Sequence, residues 1–169
     1  TSLLQYSRIG RIEAKPELVD TASMLRDLGD ICLPEGRFRL EVQADLPPVY
    51  APSAAVELVF RNLITNAVSF CEDGDAVRVW ARRRANRVLV VVEDTGPGIP
   101  EQALTKVFKR FYSERPQIQF GQHSGLGLAI SKQIVEAHGG VIWAENIRPT
   151  AADPTSAPLG ARFVVGLPV

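Results

Sequence analysis

The chain has 169 residues, of which 46% are hydrophobic and 22% charged, a composition that is ordinary for one globular domain with a sizeable core. Lys plus Arg and Asp plus Glu both number 19, and this balance favours neither nucleic acid nor an anionic membrane as a partner. The two cysteines, Cys32 and Cys71, are far apart in the sequence, which argues against a disulfide scaffold or a zinc site.

The start of the chain indicates a piece of a longer protein. It begins at Thr1 without a methionine and in the middle of an apolar pattern that runs to Glu13. That pattern fits the end of an amphipathic helix, with a flexible tail as the alternative. No apolar run reaches the roughly 20 residues of a membrane helix, and no signal peptide is visible.

The first third of the chain predicts short strands around one helix. Pro16–Val19 is predicted to form a strand, and Asp20 is a candidate N-cap for a helix that ends near Ile31. Apolar and polar residues alternate over Phe38–Val42, which predicts a half-buried strand. The proline-containing segment Leu46–Tyr50 is expected to be extended or looping.

A longer helix is predicted from Ser53 to Phe70, with apolar residues at helical spacing. Asn62, Asn66 and Ser69 form a separate polar stripe at positions i, i+4 and i+7. Asparagine is a poor helix former, so two of them in mid-helix suggest a functional wall. Exposed asparagines are also common, and a plain solvated face remains an alternative.

The centre of the chain predicts a β-hairpin that ends in an acidic glycine turn. Its strands are Ala76–Ala81 and Val88–Val92, joined by a turn with Arg82, Arg83 and Arg84. We expect that arginine turn to be solvated, with partner docking as the alternative. After the second strand, Asp94 precedes Gly96-Pro97-Gly98, where an acid can accept a hydrogen bond from a ligand amine and glycine permits close approach. An ordinary turn would need similar chemistry.

The C-terminal half continues with alternating helices and strands. A short helix is expected over Glu101–Phe111, a polar mobile lid over 112–124, and a helix over Gly125–His138 that ends at two glycines. Strands are predicted at Val141–Trp143 and Ala161–Leu167. Helices interspersed with antiparallel-looking strands predict an α+β, two-layer sandwich.

Four ordered segments resemble the sequence boxes of one family. Glu57–Phe70, Val91–Pro100, Phe108–Tyr112 and Ser124–Ser131 resemble the N, G1, F and G2 boxes of the catalytic, ATP-binding domain of two-component sensor histidine kinases, in the GHKL ATPase superfamily. The resemblance implies the Bergerat fold, a two-layer α/β sandwich whose mixed, mostly antiparallel sheet carries helices on one face. It also implies that residues 1–14 are the end of a dimerisation helix and residues 15–169 the catalytic domain.

The resemblance implies Mg²⁺-ATP binding and transfer of the γ-phosphate to a histidine on a dimerisation domain that this chain lacks. It further implies a response regulator as downstream partner, no nucleic acid, a homodimeric parent that is an inner-membrane sensor with this domain in the cytoplasm, and a monomeric state for this piece. Two alternatives remain: a non-catalytic module that uses ATP binding to control a partner, and a GHKL ATPase driven by hydrolysis. Asn62 weighs against hydrolysis, because gyrase-like members carry a glutamate there and an amide cannot act as a base.

Site residues follow from the resemblance position by position. Asn66 aligns with the Mg²⁺ ligand, Asp94 with the acid that accepts from the adenine amino group, and the 124–128 backbone with a phosphate-binding helix start. Asn62, Asn66 and Arg110 are the catalytic candidates. The nucleotide-contact candidates are Asn66, Ser69, Phe70, Asp94, Gly96, Gly98, Ile99, Phe111, Tyr112, Ser124, Gly125, Leu126, Gly127 and Leu128.

Two positions depart from the family pattern. Many histidine kinases carry lysine where Ser69 stands and arginine where Ser113 stands. Lys109, Arg110 and Arg115 are the alternatives for the missing positive charge near the γ-phosphate.

Overall fold

The computed structural model describes residues 15–32, 38–70, 75–109, 127–149 and 157–169. Within these ranges the helices are α1 (Thr21–Cys32), α2 (Ser53–Phe70) and α3 (Gly127–Ala137). The strands are β1 (Glu17–Val19), β2 (Phe38–Val42), β3 (Val49–Ala51), β4 (Val77–Arg84), β5 (Arg87–Asp94), β6 (Val141–Ile147) and β7 (Gly160–Pro168). None of these described helices is both long and apolar enough to cross a membrane.

The strands form one large sheet and one small one. The large sheet has the order β2-β4-β5-β7-β6, in which β2 and β4 are parallel and the other neighbours antiparallel. The small sheet pairs β1 with β3 in antiparallel fashion. The predicted mixed, mostly antiparallel sheet is therefore confirmed.

The helices share one core with one face of the large sheet. Residues at alternate positions of β5 and β7 point into this core, together with the apolar stripes of α2 and α3. Phe60 and Leu63 of α2 are fully buried there, and burying such a side chain contributes roughly 1.5–3 kcal/mol. The α/β sandwich with helices against one face follows from this pattern.

The structure contains the predicted N-cap of α1 and a short strand, β3, near the proline-containing segment. The predicted N-cap is present, because the Ser23 N–H donates to Asp20 Oδ1 at 3.2 Å. The segment Leu46–Tyr50, predicted as extended or looping, is extended at its end, where β3 begins and Val49 lies opposite Val19 of β1. Pairing with a distant strand adds regular structure that the prolines of 46–50 do not indicate.

The predicted helix over Glu101–Phe111 is wrong. The chain instead forms two single 3₁₀ turns, Glu101–Ala103 and Lys106–Phe108. Ala103, Val107 and Phe108 are buried, so tertiary packing decides this stretch. A segment of this length gains little from helix cooperativity, and packing overrides its propensity.

The hairpin is longer than the sequence pattern predicted. Strand pairing continues through the arginines to Arg84 opposite Arg87, and only Ala85 and Asn86 form the turn. Arginine stems can lie along a sheet surface while their guanidinium groups reach water, so a polar run need not end a strand. The predicted arginine turn is therefore a pair of arginine-bearing strand ends.

Candidate functional site

Asp94 lies at the end of β5 and is almost completely buried, with 1% of its surface exposed. Its Oδ1 atom accepts hydrogen bonds from the backbone N–H groups of Gly96, at 3.0 Å, and Ala161, at 3.3 Å. Its Oδ2 atom is buried and has no hydrogen-bond partner among the described residues. One oxygen thus anchors the carboxylate while the other remains available as an acceptor.

Burial raises the pKa of the Asp94 carboxyl, while the hydrogen bonds from Gly96 and Ala161 act in the opposite direction. A buried carboxylate oxygen without a donor carries a desolvation cost. A ligand that offers an N–H group to Oδ2 would relieve that cost. The site is therefore suited to a ligand that donates a hydrogen bond to Oδ2.

A close approach of two strands fixes Asp94 in this position. A Cβ atom added to Gly160, the first residue of β7, would lie 1.8 Å from the Asp94 carbonyl oxygen. Only glycine allows the β7 backbone to come this near, and the approach brings the Ala161 N–H to Oδ1. Gly160 and Ala161 were not among the predicted site residues.

The glycine turn after Asp94 is held by Asn146 of β6. The Ile99 N–H donates to Asn146 Oδ1 at 2.7 Å, and Asn146 Nδ2 donates to the Ile99 carbonyl at 2.6 Å. Gly98 has a φ of +85°, a conformation that glycine adopts without strain. Ile99 itself is buried in the core, and one amide side chain satisfies both of its backbone groups.

Sequence reasoning missed Asn146, although a signal for it exists. In β6 the side chains of Ile142 and Ala144 pack against the core, and Asn146 is next on the same face. A polar amide at an inward-facing strand position needs a hydrogen-bond partner. The alternation of β6 could therefore have identified Asn146, had the strand been predicted beyond Trp143.

The asparagine stripe of α2 faces the start of α3. Asn62 Nδ2 donates to the Gly127 carbonyl at 3.0 Å and lies 3.3 Å from Ser131 Oγ. Asn66 follows one turn later, and its Nδ2 atom is buried without a partner among the described residues. The Ser69 hydroxyl donates to the Asn66 carbonyl at 2.7 Å, which directs it to the helix backbone.

The beginning of α3 sits close to this stripe. A Cβ atom on Gly127 would meet Asn62 Cγ at 3.5 Å, and Leu128 packs against the core. Because α2 contacts both β5 and α3, the asparagine stripe, the Asp94 strand and the Gly127 helix meet around one core. The structure thus brings together the elements that carry the N, G1 and G2 resemblances.

Several predicted positions lie outside the described residues. These are residues 1–14, the whole of the predicted lid over 112–124, and the site candidates Arg110, Phe111, Tyr112, Ser124, Gly125 and Leu126, while for Phe70 only the backbone is described. Of the F box, Phe108 and Lys109 are described: Lys109 is exposed, and Phe108 is buried against Phe163, with ring centroids 6.2 Å apart. In the described residues, no group of three or more His, Cys, Asp or Glu side chains could hold a metal ion.

Comparison with known proteins identifies the family. The family model described as "Histidine kinase-, DNA gyrase B-, and HSP90-like ATPase" matches residues 52–169, well over half of the chain. The chain belongs to this family. The match begins just before α2 and includes β4 to β7, so it contains all the site elements described above.

Individual relatives in this family are sensor proteins. Sensor protein ChvG of Agrobacterium fabrum is 46% identical over 112 residues, which cover 65% of this chain and 18% of that protein. The alginate biosynthesis sensor protein KinB of Pseudomonas aeruginosa is 33% identical over 177 residues, which cover 99% of this chain and 27% of that protein. The chain therefore spans less than a third of the length of these curated relatives.

Solved structures show the same fold. Full-length ShkA in complex with AMPPNP superimposes with a TM-score of 0.79 and 27% identity, covering 99% of this chain and 34% of that one. The mycobacterial sensor histidine kinase MprB gives a TM-score of 0.72 and 31% identity, covering 90% of this chain and 97% of that one. The Bergerat-type α/β sandwich expected from the sequence is confirmed.

Proposed function

We propose that this chain binds Mg²⁺-ATP and serves as the catalytic domain of a protein-histidine kinase. The unpartnered, buried Oδ2 atom of Asp94 is the observation that carries the proposal. Adenine offers an exocyclic amino group to such an acceptor, whereas guanine presents a carbonyl oxygen at the same ring position. The neighbour that was solved with AMPPNP, an adenine nucleotide analogue, supports the assignment.

The remaining nucleotide contacts follow from the elements around Asp94. Gly96 and Gly98 allow the backbone to approach the base, and Ile99 is held nearby by Asn146. Ser69, Phe70, Phe111, Tyr112, Gly127 and Leu128, with Ser124, Gly125 and Leu126, complete the proposed set. In this assignment Gly127 and its predecessors offer backbone N–H groups to the phosphates at a helix start.

Asn66 is the proposed protein ligand for Mg²⁺. Its amide nitrogen has no partner among the described residues, so the side chain is not committed to the fold. A neutral amide oxygen suits a hard cation that phosphate oxygens already hold, and the cation would neutralise phosphate charge. A single protein ligand is consistent with a cation that binds mainly through its nucleotide.

Phosphoryl transfer, and not hydrolysis, is the reaction we assign. Asn62 carries an amide, which cannot remove a proton from water, and its Nδ2 atom is bonded to α3. In the proposed transfer, a histidine imidazole nitrogen forms a bond to the γ-phosphorus while the bond to the bridging oxygen breaks and ADP leaves. The chain contributes positioning and charge stabilisation, with Arg110 as the candidate cation.

The acceptor histidine belongs to a dimerisation domain that is not among these 169 residues. Both histidines of the chain, His123 and His138, lack the expected acceptor motif, and His138 Nδ1 lies 2.8 Å from the Ile134 carbonyl at the end of α3. As part of the same proposal, the parent protein is a dimer, this domain lies in the cytoplasm, and a response regulator is the next phosphate acceptor; the relatives compared above are named sensor proteins.

Phosphotransfer can be tested by joining this chain to the dimerisation domain of a ChvG relative and supplying ATP labelled in its γ-phosphate. The proposal predicts acid-labile, base-stable label on the acceptor histidine, and none when Asn66 is replaced by Ala. Release of free phosphate without protein label would instead indicate an ATPase. Nucleotide binding with neither product would indicate a binding module and contradict the kinase assignment.

A further inference from the structure

The face of the large sheet that points away from the helices carries both tryptophans of the chain. One row across the strands reads Trp80 of β4, Val91 of β5, Val164 of β7 and Trp143 of β6. We call this surface the outer face. It is separate from the Asp94 site, whose carboxylate points to the opposite side of β5.

The outer face has an apolar centre. Leu89, Val91 and Val164 form a cluster that is at most 9% exposed, and Trp80 packs against it. Among the described residues, this cluster consists of strand side chains and includes no helix residue. At its other side Val141 and Trp143 are each 40% exposed. The apolar surface therefore extends from the buried cluster to the exposed side chains of β6, the edge strand of the sheet.

Arginines surround the apolar centre. The guanidinium carbons of Arg78 and Arg82 lie 6.0 and 5.1 Å from the Trp80 ring centroid, which is cation–π distance. Next to them, Arg84 and Arg87 face each other across the hairpin end. Arg82 and Arg84 belong to the basic run of the hairpin, and as alternate residues of β4 both lie on the outer face.

The glutamates of this face are already neutralised. Glu41 forms an ion pair with Arg78 at 2.6 Å, and Glu93 forms ion pairs with both Arg78 and Arg162 at 3.3 Å. Glu145 pairs with Arg162 at 3.6 Å. In the part of the chain that the structure describes, Arg82, Arg84 and Arg87 have no carboxylate within ion-pair distance. The outer face therefore has surplus positive charge despite the neutral chain.

Two guanidinium nitrogens on this face also lack an acceptor. Arg87 Nη1 and Arg162 Nε are buried and have no hydrogen-bond partner among the described residues. Both arginines flank the apolar row, on β5 and β7. Both guanidinium groups thus hold positive charge beside the apolar row.

We propose that the outer face docks an acidic protein segment that places an apolar side chain against Trp143 and Val141. Carboxylates of the segment pair with Arg82, Arg84 and Arg87. The negative charge of the segment thereby complements the three arginines, which have no carboxylate partner among the described residues. This surface does not involve the nucleotide site.

Both tryptophans lie on the outer face, so their fluorescence reports directly on its occupancy. The probe is a synthetic peptide of Asp and Glu with one central Leu, titrated into the intact chain. Binding is expected to shift the emission, to weaken as salt rises, and to be absent for a peptide with Asn and Gln in place of the acids. Saturating ADP should not displace the peptide.

The decisive variant is Arg82→Glu with Arg84→Glu, both exposed, and its matched control is Lys15→Glu with Arg26→Glu, exposed residues outside this sheet. The outer-face variant should bind the peptide about tenfold more weakly, and the control should bind like wild type. Trp143→Ala should also weaken binding, with Trp80 as reporter. ADP binding verifies that each variant is folded.

Three results would overturn this proposal. The first is no fluorescence change with the acidic peptide, and the second is equal weakening in the outer-face and control variants. The third is stronger binding to phosphatidylglycerol vesicles than to the peptide with the same dependence on Arg82 and Arg84, which would make the surface a membrane contact.

Discussion

The Asn62 side-chain amide lies 3.0 Å from the Gly127 carbonyl oxygen, to which it donates a hydrogen bond across 65 positions of sequence. This bond joins the middle of α2 to the first residue of α3, the helix whose start is proposed to bind phosphate. Asn66, one turn further along α2, has an amide nitrogen with no such partner. The two asparagines therefore have different roles. Asn62 fixes the position of α3 relative to α2, and Asn66 is available to a ligand.

This division of roles predicts that alanine at Asn62 mainly lowers stability, whereas alanine at Asn66 mainly impairs metal-dependent nucleotide binding. Asn62→Ala should lower the free energy of unfolding by about 1–2 kcal/mol, because the Gly127 carbonyl and the Ser131 hydroxyl lose a donor. Asn66→Ala should destabilise less but abolish the Mg²⁺ dependence of nucleotide binding. Urea unfolding and calorimetry measure the two effects. Equal losses of stability in both proteins would contradict the assignment.

Asn146 is predicted to support the turn after Asp94. Asn146→Ala leaves the N–H and C=O of Ile99 without their side-chain partner, which should cost about 2 kcal/mol of stability. ADP affinity should fall as well, since the turn loses its anchor to β6. Gln133→Ala, an exposed amide on α3, is the control and should change neither. An unchanged denaturant midpoint for Asn146→Ala would show that the turn is stable without the Asn146 side chain and would contradict the prediction.

Gly98 and Gly139 offer a matched test of conformation against space. Both have positive φ, +85° and +76°, so alanine is strained at either position by about 1 kcal/mol. At Gly98 a Cβ atom would also meet Pro158 Cβ at 2.7 Å and Asn146 Oδ1 at 2.9 Å, whereas at Gly139 the nearest atom is 3.6 Å away. Gly98→Ala should therefore be clearly more destabilising in urea unfolding. Similar values for the two proteins would mean that the turn shifts freely.

The raised pKa of Asp94 predicts how stability depends on pH in the absence of nucleotide. Between the ordinary carboxyl pKa and the higher folded-state pKa, the folded protein binds more protons than the unfolded chain. Its free energy of unfolding therefore falls as pH rises through that interval. Asp94→Asn removes this titration, so the stability of the variant relative to wild type should increase over the same interval and then level off.

Urea unfolding at a series of pH values from acid to neutral measures that difference. Asp27→Asn, which changes an exposed carboxylate on α1, is the control and should give no comparable rise. A relative stability of the Asp94→Asn protein that stays flat or falls with pH would contradict a carboxylate destabilised by burial.

Local sequence pattern predicted the elements of the site better than their partners. The β-branched run of β5, the acid at its end and the asparagine stripe of α2 are visible within short windows, because side-chain periodicity reports on local burial. The partners of Asp94 and Ile99 are not local. Ala161 is 67 positions from Asp94, and only the antiparallel register of β5 with β7 brings its N–H to the carboxylate.

The elements that local pattern predicted wrongly or left open have the same origin. The 3₁₀ turns around Val107 follow from burial against the core, and β3 exists because β1 pairs with it. The arginines of β4 look like a turn until Trp80 and the neighbouring strands give their aliphatic stems a surface to cover. In each case a tertiary contact overrides a local preference.

Calorimetric titration of Mg²⁺-ADP and Mg²⁺-GDP into wild type, Asp94→Ala and Asp94→Asn tests the central claim most directly. Wild type should bind ADP and not GDP, and Asp94→Ala should lose about tenfold to a hundredfold in ADP affinity, because a hydrogen bond to a buried charge is removed. Asp94→Asn should turn the preference towards bases with a carbonyl, since its amide offers a donor. ADP binding that survives in Asp94→Ala, or GDP binding by wild type as tight as ADP, would contradict an adenine pocket built on Asp94.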